Sequence, residues 1–203
     1  MIRRLVVGIS GATGIAYGIK LLELLTASDI ETHLVVTKAA GLTREHETDL
    51  SATQLRDLAD VDYPVGHVGG AIASGSFRTM GMIVAPCSVH TLGEIAYGTT
   101  TNLLTRAADV TLKERRRLVL MVRETPLTMT HLRSMHAVTE SGGIIAPPVP
   151  AFYSRPTSID ELVTHSVARV LDLFDIDVGI PRWGAHGVAL DDPSVTAKKR
   201  TPR

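Results

Sequence analysis

The run Leu118-Val119-Leu120-Met121-Val122 ends in Arg123-Glu124, which sets a guanidinium beside a carboxylate. At a ligand-facing edge that pair could bind an anion and move a proton. Turned inward, it would be an internal ion pair. A second candidate is Gly8-Ile9-Ser10-Gly11-Ala12-Thr13-Gly14. Glycines and small hydroxyl residues before a helix let backbone N–H groups and the helix dipole approach a phosphate. The spacing is GxxGxxG rather than the GxGxxG of dinucleotide folds, and the lysine of a P-loop is missing, so a plain strand-to-helix turn remains an open reading. Thr37-Lys38 puts a hydroxyl and a cation where dinucleotide enzymes set an acid for the ribose, which suits a mononucleotide phosphate. Lys38 is equally well read as a solvated helix-end lysine.

Ala85-Pro86-Cys87-Ser88-Val89-His90-Thr91 carries a third group of candidates. Pro86 is expected to stop a strand and Ser88 to cap the next helix. The Ser88 and Thr91 hydroxyls with the free N–H groups would then make an anion or ring-edge site. Cys87 reads as a small core residue rather than a nucleophile. His90 has no evident acid beside it, which weakens a general-base role. Arg106, Asp109 and Lys113 are spaced i, i+3, i+7 and share one helix face, and Arg115–Arg117 reads as a solvated helix end. The segment from Pro147 to Pro156 is too proline-rich for a helix or inner strand, so Phe152 and Tyr153 sit on a stiff loop suited to walling a pocket.

These groups need a frame, and the apolar pattern supplies one. Leu5–Ile9, Thr32–Val36, Met82–Ala85, Leu118–Val122 and Gly143–Ala146 are short continuous apolar runs, the pattern of strands covered on both faces. A helical segment lies between most neighbours, beginning with Tyr17–Leu25. The expectation is an α/β fold: one Rossmann-like doubly wound domain over residues 1–190, with a mainly parallel sheet and helices on both faces. Ligands in such sheets bind beyond the carboxyl ends of the strands, where most of the candidates fall. Residues 191–203 lose apolar periodicity and read as a flexible tail.

Composition narrows the function classes. Of 203 residues, 21 are Lys or Arg and 21 Asp or Glu, so no net charge draws the chain to nucleic acid or an anionic membrane. A single cysteine rules out an intrachain disulfide. The opening MIRRLVVGISGATG has too short an apolar run for a signal peptide, and no stretch is long enough to span a bilayer. The expected setting is cytoplasmic. Asp191-Asp192 is a lone pair, so paired acidic clusters of the kind that hold magnesium are missing.

Taken together, GISGATG, SGSFRTMGMIVAPCS, LLTRAADVTLKERR, LVLMVRETPL and PPVPAFYSRP resemble, in order and approximate spacing, the UbiX-type flavin prenyltransferases. The resemblance runs from about Ile2 to Trp183. It implies a metal-independent transferase that joins a dimethylallyl group from dimethylallyl phosphate to N5 and C6 of reduced FMN. The product, prenylated FMN, would serve a UbiD-type decarboxylase. It also implies a homo-oligomer, a dodecamer built from trimers, with both substrates meeting between subunits. Carried over by position, Gly11, Ala12, Thr13, Thr37, Ser88, Val89, His90, Thr91 and Arg123 would hold the flavin. Lys113, Arg123, Tyr153 and Arg169 would hold the prenyl phosphate, with Arg106 close by. Glu47 and Glu124 match the two acids that move protons, and Lys113 joins them in the catalytic set. The resemblance alone singles out Arg169, which its own helical run, Val163–Phe174, would mark as a surface arginine.

His90 stands where many members carry Lys or Met, Thr37 where Ser is usual, and Arg117 replaces a frequent proline. Two other classes compete. An FMN-dependent decarboxylase acting directly on an aromatic acid or a cysteine would fit the same fold group, but the cysteine decarboxylases carry PxMNxxMW where this chain reads PPVPAFY. A non-catalytic flavin-binding subunit would have no need for Glu47, Lys113, Glu124, Tyr153 and Arg169 together.

Overall fold

The structure is a computed structural model and describes residues 2–182. The expected tail at 191–203 and the end of the resemblance at Trp183 lie outside the described residues. In chain order the elements are β1 (Arg3–Ile9), α1 (Ile15–Thr26), β2 (Ile30–Val36), α2 (Lys38–Glu47), α3 (Ala52–Arg56) and β3 (Val61–Tyr63), followed by β4 (Gly81–Cys87), α4 (Val89–Ala96), α5 (Leu103–Lys113), β5 (Arg117–Val122), α6 (Met129–Glu140), β6 (Ile144–Ile145) and α7 (Ile159–Leu171).

The strands form one sheet in the order β3-β2-β1-β4-β5-β6, and every pair is parallel. Strand alternation divides β1 between two cores. Leu5, Val7 and Ile9 face a cluster with Leu21, Leu22 and Leu25 of α1 and Val167 and Leu171 of α7. Val6 faces the other cluster, with Leu92 of α4 and Leu103, Leu104 and Ala107 of α5. Helices therefore cover both faces, as the continuous apolar runs require. Each such fully buried Leu or Ile contributes about 1.5–3 kcal/mol relative to exposure.

The structure departs from the sequence reading at the sheet's margins. β3, a sixth strand, was not expected: Val-Asp-Tyr is three residues with a polar centre, held only at the edge of β2. At the other edge only Ile144 and Ile145 of the expected Gly143–Ala146 strand pair with β5. β4 does not stop at Pro86; it continues to Cys87, with a register shift against β5 between Val84 and Cys87. Arg117 opens β5 and lies over the Phe174 ring, while Arg116 donates to the Phe77 and Gly75 carbonyls. Only Arg115 fits the expected solvated helix end. The strand order reverses between β1 and β4, and a crevice opens there at the carboxyl ends of the strands.

Candidate functional site

A cleft of about 620 Å³ occupies this switch point, a volume that suits a mononucleotide-sized ligand. Its walls come from four strand ends. Gly11, Ala12 and Thr13 follow β1, Thr37, Lys38 and Ala39 follow β2, Ser88, Val89, His90 and Thr91 follow β4, and Arg123 and Glu124 follow β5. Val65 and Asn102 complete the lining. All nine residues expected to hold the flavin therefore meet in one place, with Glu124 beside them.

Local chemistry explains each wall. Thr37 caps α2, its Oγ1 accepting from the Ala40 N–H at 3.1 Å. Ser88 caps α4, its Oγ accepting from the Thr91 N–H at 3.2 Å and donating to Thr91 Oγ1. Asn102 caps α5 in a capping box with Thr105. Three helix N-termini thus converge on the cleft, each bringing partial positive charge and N–H donors. Lys38 and Arg123 add full charges, and Arg123 makes no direct ion pair among the described residues. The resulting field favours a phosphate.

Ser10, which sequence reasoning passed over, ties two walls together. Its buried Oγ donates to the Pro86 carbonyl at 3.1 Å and accepts from the Ser88 N–H at 2.8 Å. Asn102 and Val65 were missed as well. A capping pattern at Asn102 was legible, but its proximity to the β1 and β4 ends follows only from the sheet order. Gly11 packs so closely on α2 that an added Cβ would come within 2.4 Å of Ala39 Cβ.

The glycine turn behaves differently from expectation. Glu47, at the end of α2, folds back on the N-terminus of α1. Its Oε2 accepts from the Gly14 and Ile15 N–H groups, each at 2.9 Å, and its Oε1 from Gly14 at 3.2 Å. Those donors serve a carboxylate of the chain itself rather than a phosphate. Burial raises the Glu47 pKa. The Thr13 hydroxyl and the Ile15 and Gly14 N–H groups, with the charge of Arg123, outweigh it and hold the carboxyl below its ordinary value. Glu47 is thus an ionised acceptor directly behind Thr13. Glu124, half-buried, has one oxygen accepting from the Thr125 N–H at 3.0 Å. His90 does have an acidic neighbour: Glu94 Oε2 lies 3.9 Å from its Nδ1, one turn along α4. Cys87 is fully buried and burial pushes its thiol pKa far up, which matches the inert reading.

Five expected residues are absent from the cleft lining of one chain: Glu47, which stands just behind Thr13, and four that lie farther off. α5 begins beside it at Asn102 and runs away for 11 residues, about 16 Å at the helical rise. Lys113 therefore stands at the amino end of the sheet, paired with Glu114 rather than with the Arg106 face. Arg106 pairs with Asp109 at 2.7 Å, midway along. The proline-rich loop contributes nothing to the cleft, and Phe152 is exposed. Tyr153 instead meets buried His165 of α7, its hydroxyl 3.0 Å from Nε2. Arg169, one turn beyond His165, is bonded to Asp172. Among the described residues no group of three or more His, Cys, Asp or Glu is placed to hold a metal, and no helix is long and apolar enough to cross a membrane.

The family profile described as Flavoprotein matches residues 1–170. The flavin prenyltransferase UbiX of Neisseria meningitidis is 59% identical over 177 residues, covering 87% of this chain and 94% of that protein. The chain belongs to the UbiX flavin prenyltransferase family. Solved UbiX-type structures agree. AnUbiX, in complex with FMN and dimethylallyl pyrophosphate, superposes with a TM-score of 0.89 at 50% identity, over 90% of this chain and 98% of that one. A dodecameric FMN-dependent UbiX-like decarboxylase from Escherichia coli O157:H7 gives 0.84 at 48% identity, over 86% and 96%.

Proposed function

We propose that this protein transfers a dimethylallyl group from dimethylallyl phosphate to reduced FMN and releases prenylated FMN for a UbiD-type decarboxylase in the cytoplasm. The observation that carries the reading is a flavin-sized cleft lined by Arg123 and Glu124, with the Glu47 carboxylate kept ionised on the Gly14 and Ile15 N–H groups just behind its Thr13 wall. The residues present fit FMN: three helix N-termini, Lys38 and Arg123 suit its phosphate, and the apolar lining from Ala12, Val65 and Val89 suits a ring.

Reduced FMN, when bound, supplies the nucleophilic N5 and C6. Overall, a carbon–nitrogen and a carbon–carbon bond form. The carbon–oxygen bond to phosphate breaks, and its electron pair leaves with the phosphate. Ring closure also consumes the prenyl double bond: C6 bonds to its branched carbon while a proton adds to the neighbouring carbon. Two protons leave the flavin, one from N5 and one from C6, and one is returned to the prenyl carbon, so one proton is released overall with the phosphate. Glu47 is the acceptor for the first, and Glu124, with the released phosphate beside it, for the second. Lys113, Arg123, Tyr153 and Arg169, with Arg106 nearby, stabilise charge on the leaving phosphate.

Because Lys113, Arg106, Tyr153 and Arg169 lie away from the cleft of their own chain, the prenyl-phosphate half of the site is built by neighbouring copies. The dodecameric E. coli relative supports an assembly of that kind. That relative's description also names a decarboxylase, so direct decarboxylation is the second reading. Anaerobic incubation with reduced FMN and dimethylallyl phosphate, followed by mass analysis of the flavin, separates them. Gain of one five-carbon unit supports the transferase. Unmodified flavin with either the phosphate or the pyrophosphate donor would refute it.

A further inference from the structure

Glu94 takes no part in the chemistry above, yet it is firmly held beside the cleft. Its side chain is only 12% exposed. Oε1 accepts from Thr101 Oγ1 at 2.5 Å, and Oε2 accepts from Asn102 Nδ2 at 3.4 Å and lies 3.9 Å from His90 Nδ1. Its own carbonyl accepts from the Thr99 N–H at 2.8 Å. Two of these partners, His90 and Asn102, line the cleft, one on the first turn of α4 and the other at the N-cap of α5.

A largely buried carboxylate that accepts from Asn102 and faces His90 across 3.9 Å braces both cleft residues. Holding Asn102 Nδ2 directs the opposite amide atom, Oδ1, to the Thr105 N–H at 3.2 Å, so the first N–H groups of α5 stay aligned. Placed one helical turn from His90, the same carboxylate can pair with the ring when the imidazole is protonated. We propose that Glu94 is a positioning residue for the flavin phosphate, acting from behind the wall to set His90 and the α5 N-terminus toward one anion. The proposal rests on the flavin reading of the cleft and adds a determinant that distinguishes FMN from flavin lacking the phosphate.

Other charges face the same space. Lys38 from α2 and Arg123 and Glu124 from the end of β5 line the cleft. On α6, which packs on α4, His131 caps Thr128 and His136 pairs with Glu140, so both are engaged elsewhere. His90 is the one imidazole among the described residues that line the cleft.

The test measures dissociation constants for oxidised FMN and riboflavin by flavin fluorescence quenching at about pH 6 and about pH 8.5, on either side of the ordinary imidazole range. Wild type is compared with Glu94→Gln, His90→Gln and His90→Lys, so the ligand's own phosphate titration cancels. Glu94→Gln should weaken FMN about fivefold at the lower pH and less at the higher, with riboflavin unchanged. His90→Gln should reproduce the pH-dependent part, and His90→Lys should restore affinity at both pH values. Equal weakening of FMN and riboflavin by Glu94→Gln would overturn the proposal, because Glu94 would then merely brace the loop. So would an unchanged FMN affinity. Wild type binding neither flavin would overturn the flavin reading itself, and this inference with it.

Discussion

Replacing Glu47 by Gln separates its contact with the α1 N-terminus from its proposed role as proton acceptor. The side chain keeps its length and one carbonyl acceptor, but it loses the charge facing the Gly14 and Ile15 N–H groups. Truncating a cap at a helix N-terminus costs about 0.5–2 kcal/mol, and a nearby anion contributes about 0.3–1 kcal/mol. Glu47 is exposed on its outer side, so screening discounts the charge and about 1 kcal/mol is the reasonable total. For a domain of this size that shifts the melting temperature by about 2–4 °C. The sign follows from the lowered pKa in the folded protein. The stabilisation is complete above the unfolded value, about 4.3, and is lost as pH falls through the folded value, so wild type and variant should converge in acid. The chemical duty is larger: removing a positioned proton acceptor costs about 10²–10⁴-fold in rate. Single-turnover formation of prenylated flavin at neutral pH, alongside thermal melts at neutral and acid pH, reads both. A variant that melts lower but turns over at the wild-type rate would refute the proton-acceptor role and leave Glu47 as a helix cap.

Lys113→Ala and Glu124→Gln should each abolish turnover while FMN stays bound. Dissociating and reassembling the two variants together should recover activity, because some sites then combine an intact Glu124 with an intact neighbouring Lys113; no recovery would place both groups in one chain's site. Tyr153→Phe with Arg169→Ala should raise the requirement for dimethylallyl phosphate, read as KM, more than it changes FMN affinity. Gly11→Ala should destabilise by about 1–3 kcal/mol and weaken FMN, since its Cβ would come within 2.4 Å of Ala39 Cβ; denaturant melts and a flavin titration check both effects. Cys87 should resist a thiol reagent at about pH 8 until denaturant is added, because it is fully buried and its pKa is raised; rapid labelling of native protein would contradict that.

The frame of the fold was legible because its strands are buried on both faces and therefore read as continuous apolar runs. β3 was not, since a three-residue edge strand has no periodicity to detect. The cleft was legible wherever a candidate sat at a strand end, as Thr37, Ser88 and Arg123 do. What spacing could not convey was distance across the sheet. Arg106 and Lys113 share a helix face, yet the direction of α5 carries Lys113 to the end opposite the cleft. Nor could spacing reveal that Glu47, 33 residues beyond Gly14, consumes the donors of the glycine turn. The acid beside His90 is four residues along the chain, so adjacency in sequence hides it, whereas on a helix it is one turn away. Tyr153 and Arg169 depended on family resemblance, because neither shows a pattern distinguishing it from an ordinary loop tyrosine or surface arginine.

The separation of Lys113 from the cleft of its own chain changes what the unit of activity is. On the proposed roles, with the acids at one end of the subunit and the lysine for the prenyl phosphate at the other, a monomer would offer two half-sites and no whole one. Specific activity would then fall on dilution as the assembly comes apart, even with every chain folded and flavin-loaded. A defective chain incorporated into the oligomer would silence the site of its neighbour as well as its own, so inactive subunits would suppress more activity than their share of the population.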